Sequence, residues 1–355
     1  MSGPLEVASV GDRPTPDWDA RTVDVPGGHV LQSVVWADHA VSEGWRPRFA
    51  TFTDGTAALL LVRPQRPLPG FLVYASRGPV GGPGGPEAAA RRAVALGHWA
   101  REAGATILAV DPELPDDAGY EATLARAGFV PAEEIQPSRH RLEVTWVPGT
   151  TEVALRGGLS KTTRQRLRAA ESGGNVVRED AAGERLAELG RLLDATALRK
   201  GFTFSSRQGF LAWWQALLRA GRGRFLVAEA GGQLLGGLIL YRQGGHLATA
   251  FSADDPTTRA RYAGTMQLLR WTAMTLALHE GMTSLDLGGV DVAGARRRPE
   301  PGEATWGLYE HKVGFGARWV ESAGAHELVL RRAVYRASLL GRSVRRAARG
   351  TRRHR

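Results

Sequence analysis

The sequence predicts an α/β (α+β) fold built as two tandem units, each a mixed sheet flanked by helices. Three observations predict it. The same order of elements runs through the chain twice, short stretches of the two runs match, and each run follows a hairpin-like pair of apolar segments. At 355 residues the chain also exceeds what one compact core usually serves, so two domains are the natural expectation.

The first hairpin pattern is RFATFTDGTAALLLVR, with Asp54-Gly55 as turn residues, and the second is RFLVAEAGGQLLGGLILYR, with Gly231-Gly232. After the first come a strand (GFLVYASRGP), a glycine-rich loop, a long helix (EAAARRAVALGHWAREAG), a strand (ATILAVD), a shorter helix (YEATLARAG) and Phe129. After the second come GHLATAFSAD, a loop, RYAGTMQLLRWTAMTLALHEG, MTSLDLG, GLYEHKVG and Phe315 in the same order. AREAGATILAVD matches ALHEGMTSLDLG, and YEATLARAGF matches GLYEHKVGF. The Gly/Pro/Arg-rich loop GGVDVAGARRRPEPGEAT accommodates the longer spacing in the second copy. This order resembles the N-acetyltransferase (GNAT) fold, here in tandem and duplicated. The expected domains are 1–147 and 148–325, with 326–341 returning to the first and 342–355 forming a basic, disordered tail. Two such units side by side are expected to form a cleft, where ligand sites often lie.

Composition narrows the chemistry. There is no cysteine, which excludes disulfides, thiolate metal sites and Cys nucleophiles. With 43% hydrophobic residues and ten Trp, the chain can bury substantial cores. No apolar run approaches the roughly 20 residues that span a bilayer, and the N-terminus lacks a signal pattern. The expectation is a cytoplasmic protein, peripheral at most to the inner face of the membrane. The formal charge is +10, yet the last 14 residues, RSVRRAARGTRRHR, hold seven Arg and no acid. Such a tail attracts RNA phosphates or anionic lipid.

Arginine occurs 43 times and lysine three times, as Lys161, Lys200 and Lys312. Lys161 opens a basic helix, LSKTTRQRLRAAES, with Ser160 as its N-cap and Gly173-Gly174 as its stop. Lys161, Arg164 and Arg168 recur on one face, with no acid before Glu171, which suits a phosphate-rich partner. A coenzyme A pyrophosphate needs backbone amides at a helix start and small residues around them. The second copy offers Arg261-Tyr-Ala-Gly264-Thr-Met266, with Met where a small residue belongs, and the first offers GPVGGPGGPEA, with Pro86 and Glu87. Both read as poor cradles, so coenzyme A is not the expected donor and no cofactor or metal is expected.

Together these segments resemble the Fem family of aminoacyl-tRNA-dependent transferases, which build peptidoglycan interpeptide bridges, over roughly residues 29–335. HVLQSVVWADH is similar to the family's L-Q-S-x-x-W segment, LSKTTRQRLRAAESGGNVVRED to its K-x-x-R-x-x-[IL]-R-x-A-E stretch, and SLDLGGV with GLYEHKVGFG to its D-L-G-G…K-x-G-F-G signature. His311 replaces the usual aromatic before the lysine, and His39 stands where relatives tend to carry Lys. The resemblance implies attack of a precursor amine on the ester of an aminoacyl-tRNA carrying Gly, Ala or Ser. The acceptor would be a lipid-linked or nucleotide-linked peptidoglycan precursor. Lys312 is the expected catalytic cation, against a simpler role as a helix cap, and Asp286 the best placed carboxylate. Trp36, His39, Arg77, Arg207 and Phe251 are the expected acceptor-binding residues, and Lys161, Arg164 and Arg168 the expected tRNA contacts. Two alternatives stay open: a CoA-dependent N-acyltransferase acting on a small amine, and a non-catalytic tRNA- or membrane-binding protein.

Overall fold

The computed structural model describes residues 5–67, 69–82, 84–135, 138–200, 207–292 and 294–337. The chain divides into two units, Met1–Ile135 with Ser322–Arg355, and Gln136–Glu321. The expected basic tail 342–355 lies outside the described residues.

The first unit runs β1 (Val7–Gly11), α1 (Trp18–Thr22), a 3-10 turn (Val30–Gln32), α2 (Val34–Ser42), β2 (Arg46–Phe52), β3 (Ala57–Pro64), β4 (Phe71–Ala75), α3 (Gly85–Glu102), β5 (Ile107–Val110), α4 (Ala118–Arg126) and β6 (Val130–Pro131). A closing strand, His326–Val329, enters its sheet, whose order is β1-β2-β3-β4-β5-closing strand-β6. β4 and β5 are parallel, joined by the crossover helix α3. Alternate residues of β3 feed different cores. Leu60 packs with Val73, Leu96 and Leu108, while Leu59 and Leu61 pack with Trp18, Phe49 and Tyr74. That period of two covers both faces of the sheet.

The second unit runs β7 (Arg141–Thr145), α5 (Glu152–Gly158), α6 (Lys161–Ser172), β8 (Val176–Glu179), α7 (Leu186–Lys200), α8 (Arg207–Arg219), β9 (Gly223–Ala230), β10 (Gln233–Gln243), β11 (His246–Asp254), α9 (Thr265–His279), β12 (Ser284–Asp286), α10 (Trp306–Val313) and β13 (Arg318–Val320). Its sheet order is β13-β7-β12-β11-β10-β9-β8, with β11 and β12 parallel across α9. The two predicted hairpins are β2/β3 and β9/β10. Gly231 and Gly232, at φ 55° and 80°, supply the doubly left-handed turn that a tight hairpin needs.

The domain boundary differs from the sequence expectation of 147/148. β7 follows β6 in the chain but pairs between β12 and β13, and its Leu142 and Val144 join the second core. The closing strand follows β13 but pairs between β5 and β6. Each sheet is thus completed by the strand that follows the other unit's last strand. The alternation Arg-Leu-Glu-Val-Thr fits either sheet, so its pattern alone does not assign it. Long-range bonds do: Leu142 O accepts from Leu287 N at 2.8 Å, and Trp146 Nε1 donates to Met282 O at 2.7 Å.

Local sequence sets the ends of α6 and α9, which pack together. Ser160 Oγ accepts from Thr163 N at the start of α6, and Gly173 ends it. Gly264 caps α9 at φ 82°, and a Cβ there would lie 2.1 Å from Arg166 O of α6. Gly264→Ala therefore combines left-handed strain with a backbone clash. It is expected to cost about 1–3 kcal/mol, read as a lower urea midpoint.

Candidate functional site

In the second unit, β12 ends at buried Asp286, whose Oδ1 accepts from Gly288 N at 2.6 Å. Gly288 has φ 80°, and a Cβ on Gly289 would lie 2.2 Å from that of Ser138, so the Asp-Leu-Gly-Gly turn needs both glycines. Lys312, near the end of α10, is only 4% exposed. Its Nζ donates to Gly288 O at 2.8 Å and Gly289 O at 3.1 Å. The side chain thus binds a separate turn rather than the carbonyls of its own helix. Burial, then the charge of Arg270, push the Lys312 pKa down from 10.5 to about 7, against the opposing pull of Asp286.

A pocket of about 690 Å³ reaches His311, the chain neighbour of Lys312, and is lined also by Arg166, Ser252, Arg259, Met266 and Arg270 among others. Arg270 of α9 is buried, and its Nε donates to His311 Nε2 at 3.0 Å. Burial first, then Arg270, Lys312 and Arg166, push His311 down to about 3, so the imidazole is neutral at physiological pH. Since Nε2 accepts from Arg270, the ring proton must sit on Nδ1. The Gln267 amide lies 3.2 Å from Nδ1, and this tautomer requires its oxygen to face the ring.

The first unit gathers a second cluster at the ends of β4 and β5. Asp111 is 3% exposed; Tyr74 Oη donates to its Oδ2 and Arg77 N to its Oδ1, both at 2.7 Å. Burial pushes its pKa up to about 6, opposed by the Arg77 charge and the Tyr74 hydrogen bond. Arg77 adopts φ 49°, unusual for a residue with a side chain. Gln32 of the Leu-Gln-Ser segment is fully buried; its amide donates to Leu59 O and Ser76 O and accepts from Leu59 N. Ser33 caps α2 by accepting from Trp36 N. Trp36 and His39 lie one turn apart on α2 with ring centroids 5.4 Å apart, and burial lowers the His39 pKa. His39 therefore does not supply a fixed cation at this position.

The remaining predicted residues are placed as follows. Lys161 and Arg168 are exposed on α6, whereas half-buried Arg164 donates to Gly157 O and Leu159 O, tying the α5–α6 turn. Phe251 packs in an aromatic cluster with Phe210 and Trp214 of α8, and Arg207 opens that helix. Asp111, Arg166 and Arg270 escaped sequence reasoning. Asp111 carried one usable signal, its place just past a strand, opposite Gly288 in the repeat; the two arginines carried none among 43.

Residues 158–312 match the family described as an acetyltransferase (GNAT) domain, a stretch within the second unit. FemX is similar over 93% of this chain and 99% of that chain, with a TM-score of 0.76 and 20% identity. A tandem GNAT protein from the clavulanic acid biosynthesis pathway is similar over 92% and 98%, with TM-score 0.50 and 12% identity. L-PGS from Bacillus licheniformis is similar over 83% and 89%, with TM-score 0.50 and 13% identity. No curated protein matches this chain in sequence. The chain has a tandem GNAT-like fold of the α/β class, two mixed sheets flanked by helices. No described helix is long and apolar enough to cross a membrane.

Between about pH 7 and 10.5 the folded chain holds Lys312 less protonated than the unfolded chain does. Stability should therefore rise with pH across that window, by roughly 1 kcal/mol per unit at the steepest. Lys312→Met should abolish this rise and lower the baseline by about 1–3 kcal/mol by leaving two carbonyls without a donor. Urea midpoints across the window measure both effects.

Proposed function

We propose that this protein is an aminoacyltransferase that moves an amino acid, Gly or a small residue such as Ala or Ser, from aminoacyl-tRNA to an amine of a peptidoglycan precursor. The observation that carries this reading is the bond from Lys312 to the Gly288-Gly289 carbonyls. It joins in space the two halves of the Asp-Leu-Gly-Gly and Lys-x-Gly-Phe-Gly signature on which the Fem resemblance rests. The FemX-like fold of nearly the whole chain is consistent with it.

In this reading the amine attacks the ester carbonyl carbon, a C–N bond forms, and the C–O bond to the tRNA ribose breaks. The amine's proton is lost and the departing ribose oxygen gains one. Asp111, which accepts from Tyr74 Oη and Arg77 N, is proposed to position Arg77 for the acceptor. Lys312 holds the Gly-Gly turn and supplies positive potential toward the developing oxyanion. Asp286 fixes that turn through Gly288 N. Trp36, Arg77, Arg207 and Phe251 remain the proposed acceptor contacts, with exposed Lys161 and Arg168 on tRNA phosphates. The basic tail would add contact with tRNA or with anionic lipid on the inner face of the membrane.

A coenzyme A-dependent reading is favoured by one observation. The start of α9 has no side-chain cap, and Thr265, Met266 and Gln267 line the pocket. Tight acetyl-CoA binding by calorimetry, with acetyl transfer in the absence of tRNA, would replace the first reading.

Incubation with charged tRNAs and a lipid- or nucleotide-linked precursor should yield a product heavier by one aminoacyl residue, read by mass. Lys312→Met should reduce this transfer about 10²–10³-fold while leaving the protein folded. Asp111→Asn should raise the acceptor KM several-fold with kcat little changed. Near-normal turnover of Lys312→Met, or an unchanged acceptor KM in Asp111→Asn, would withdraw the role assigned to that residue.

A further inference from the structure

The pocket of the second unit carries positive charge that the described chain leaves unmatched. Its wall holds three guanidinium groups, those of Arg166, Arg259 and Arg270, and a single carboxylate, Asp254. Arg259 takes that carboxylate in a two-pronged bond, 2.7 Å at each nitrogen. No other described carboxylate lines the pocket.

Arg270 is the less usual of the two that remain. It is 2% exposed, and its Nε and Nη2 reach His311 Nε2 at 3.0 Å and Ser252 Oγ at 3.4 Å. Both partners are neutral and both line the pocket, so the guanidinium lies in its wall. Its Nη1 is buried and has no hydrogen-bond partner among the described residues. A buried charged donor left unpaired destabilises a fold strongly, and deprotonation does not relieve it here. Burial lowers the Arg270 pKa only to about 10. The charges of Arg270, Lys312 and Arg166 all press on His311, while Asp286 acts on Lys312 in the opposite sense. The start of α9, a helix of 15 residues with no side-chain cap, opens on the same pocket and adds its positive end.

We propose that this pocket is an anion seat: it takes a ligand bearing an anionic oxygen group, phosphate or carboxylate, which accepts from Arg270 Nη1 with exposed Arg166 beside it. The proposal deepens the acyl-transfer reading, on which it rests for the identity of the ligand as the acyl donor. The negative charge then belongs either to the phosphates of the donor's carrier or to a carboxylate of the acyl group.

The test titrates inorganic pyrophosphate and, separately, succinate into the full chain at low ionic strength by calorimetry. The comparison set is Arg270→Gln, Arg270→Lys, Arg166→Gln and, as a control on an exposed cation of the first unit, Arg91→Gln. Saturable binding of one anion is expected, weakened about tenfold or more in Arg270→Gln, partly restored in Arg270→Lys and unchanged in Arg91→Gln. Pyrophosphate binding assigns the charge to the carrier, and succinate binding assigns it to the acyl group. Absence of binding by both anions, or equal affinity in wild type and Arg270→Gln, overturns the proposal. Should Arg270→Gln fail to fold by circular dichroism, Arg166→Gln decides: a several-fold loss supports the seat and equal affinity overturns it. Anion binding without transfer to any amine keeps the seat and removes the transferase reading. Transfer with an unchanged donor KM in Arg270→Gln does the reverse.

Discussion

Lys312 reaches from the end of α10 to the carbonyls of Gly288 and Gly289, and the arrangement of the second unit's site follows from that bond. It fixes α10 against the end of β12, and so fixes the neighbouring residue, His311, against Arg270 of α9. The two carbonyls come from adjacent residues and converge on one point. An ammonium, compact and carrying three tetrahedral N–H groups, can serve both, whereas a planar guanidinium spreads its donors along a fixed fork. This gives a physical reason for a lysine at this position in a chain that uses arginine for nearly all its other cations. The glycines are part of the same constraint, since Gly288 needs its left-handed backbone and Gly289 has no room for a Cβ beside Ser138.

A cation buried in this way alters its surroundings. Arg270 stands close enough to lower the Lys312 pKa, and both charges act on His311. The cluster responds in the two ways open to it: Lys312 loses proton affinity, and His311 stays neutral. A neutral His311 can then accept from Arg270 Nε, which a protonated ring could not do. His311 in this chain and the buried Arg270 therefore belong together.

Much of the fold was legible because its signals are local. Gly231-Gly232, Ser160 and Gly173 act within a few residues, and the repeat shows in element order alone. The boundary was not legible, because β7 alternates apolar and polar residues in a way that suits either sheet. The same division runs through the site. The Asp-Leu-Gly-Gly turn and Lys312 stand out through spacing and rarity. Arg166 and Arg270 read as ordinary members of helices in an arginine-rich chain, and only burial distinguishes Arg270. Arg164 shows the converse: its helical spacing suggested a phosphate contact, yet its guanidinium is engaged with the α5–α6 turn. Asp111 looked like any acidic residue after a strand until Tyr74 and Arg77 were placed around it.

The two copies also treat an arginine on the crossover helix differently. In the first unit, Arg92 of α3 is 2% exposed; its Nη1 donates to Val80 O and Gly81 O, and its Nε to Asp54 at 2.9 Å. The glycine-rich loop thus turns carbonyls inward onto a cation that the chain itself neutralises. A loop folded in that way has little to offer an anion, which agrees with the Pro86-Glu87 start of α3. In the second unit, Arg270 meets only the neutral partners His311 and Ser252, and its third nitrogen has no acceptor among the described residues. Asp54 comes from the hairpin turn of the first unit, whereas the corresponding turn of the second is Gly231-Gly232, which carries no carboxylate. Duplication gave both units a helix start capped by a left-handed glycine, Gly84 and Gly264. Arg92 thus belongs to a closed structural clamp, whereas Arg270 lines a charged pocket.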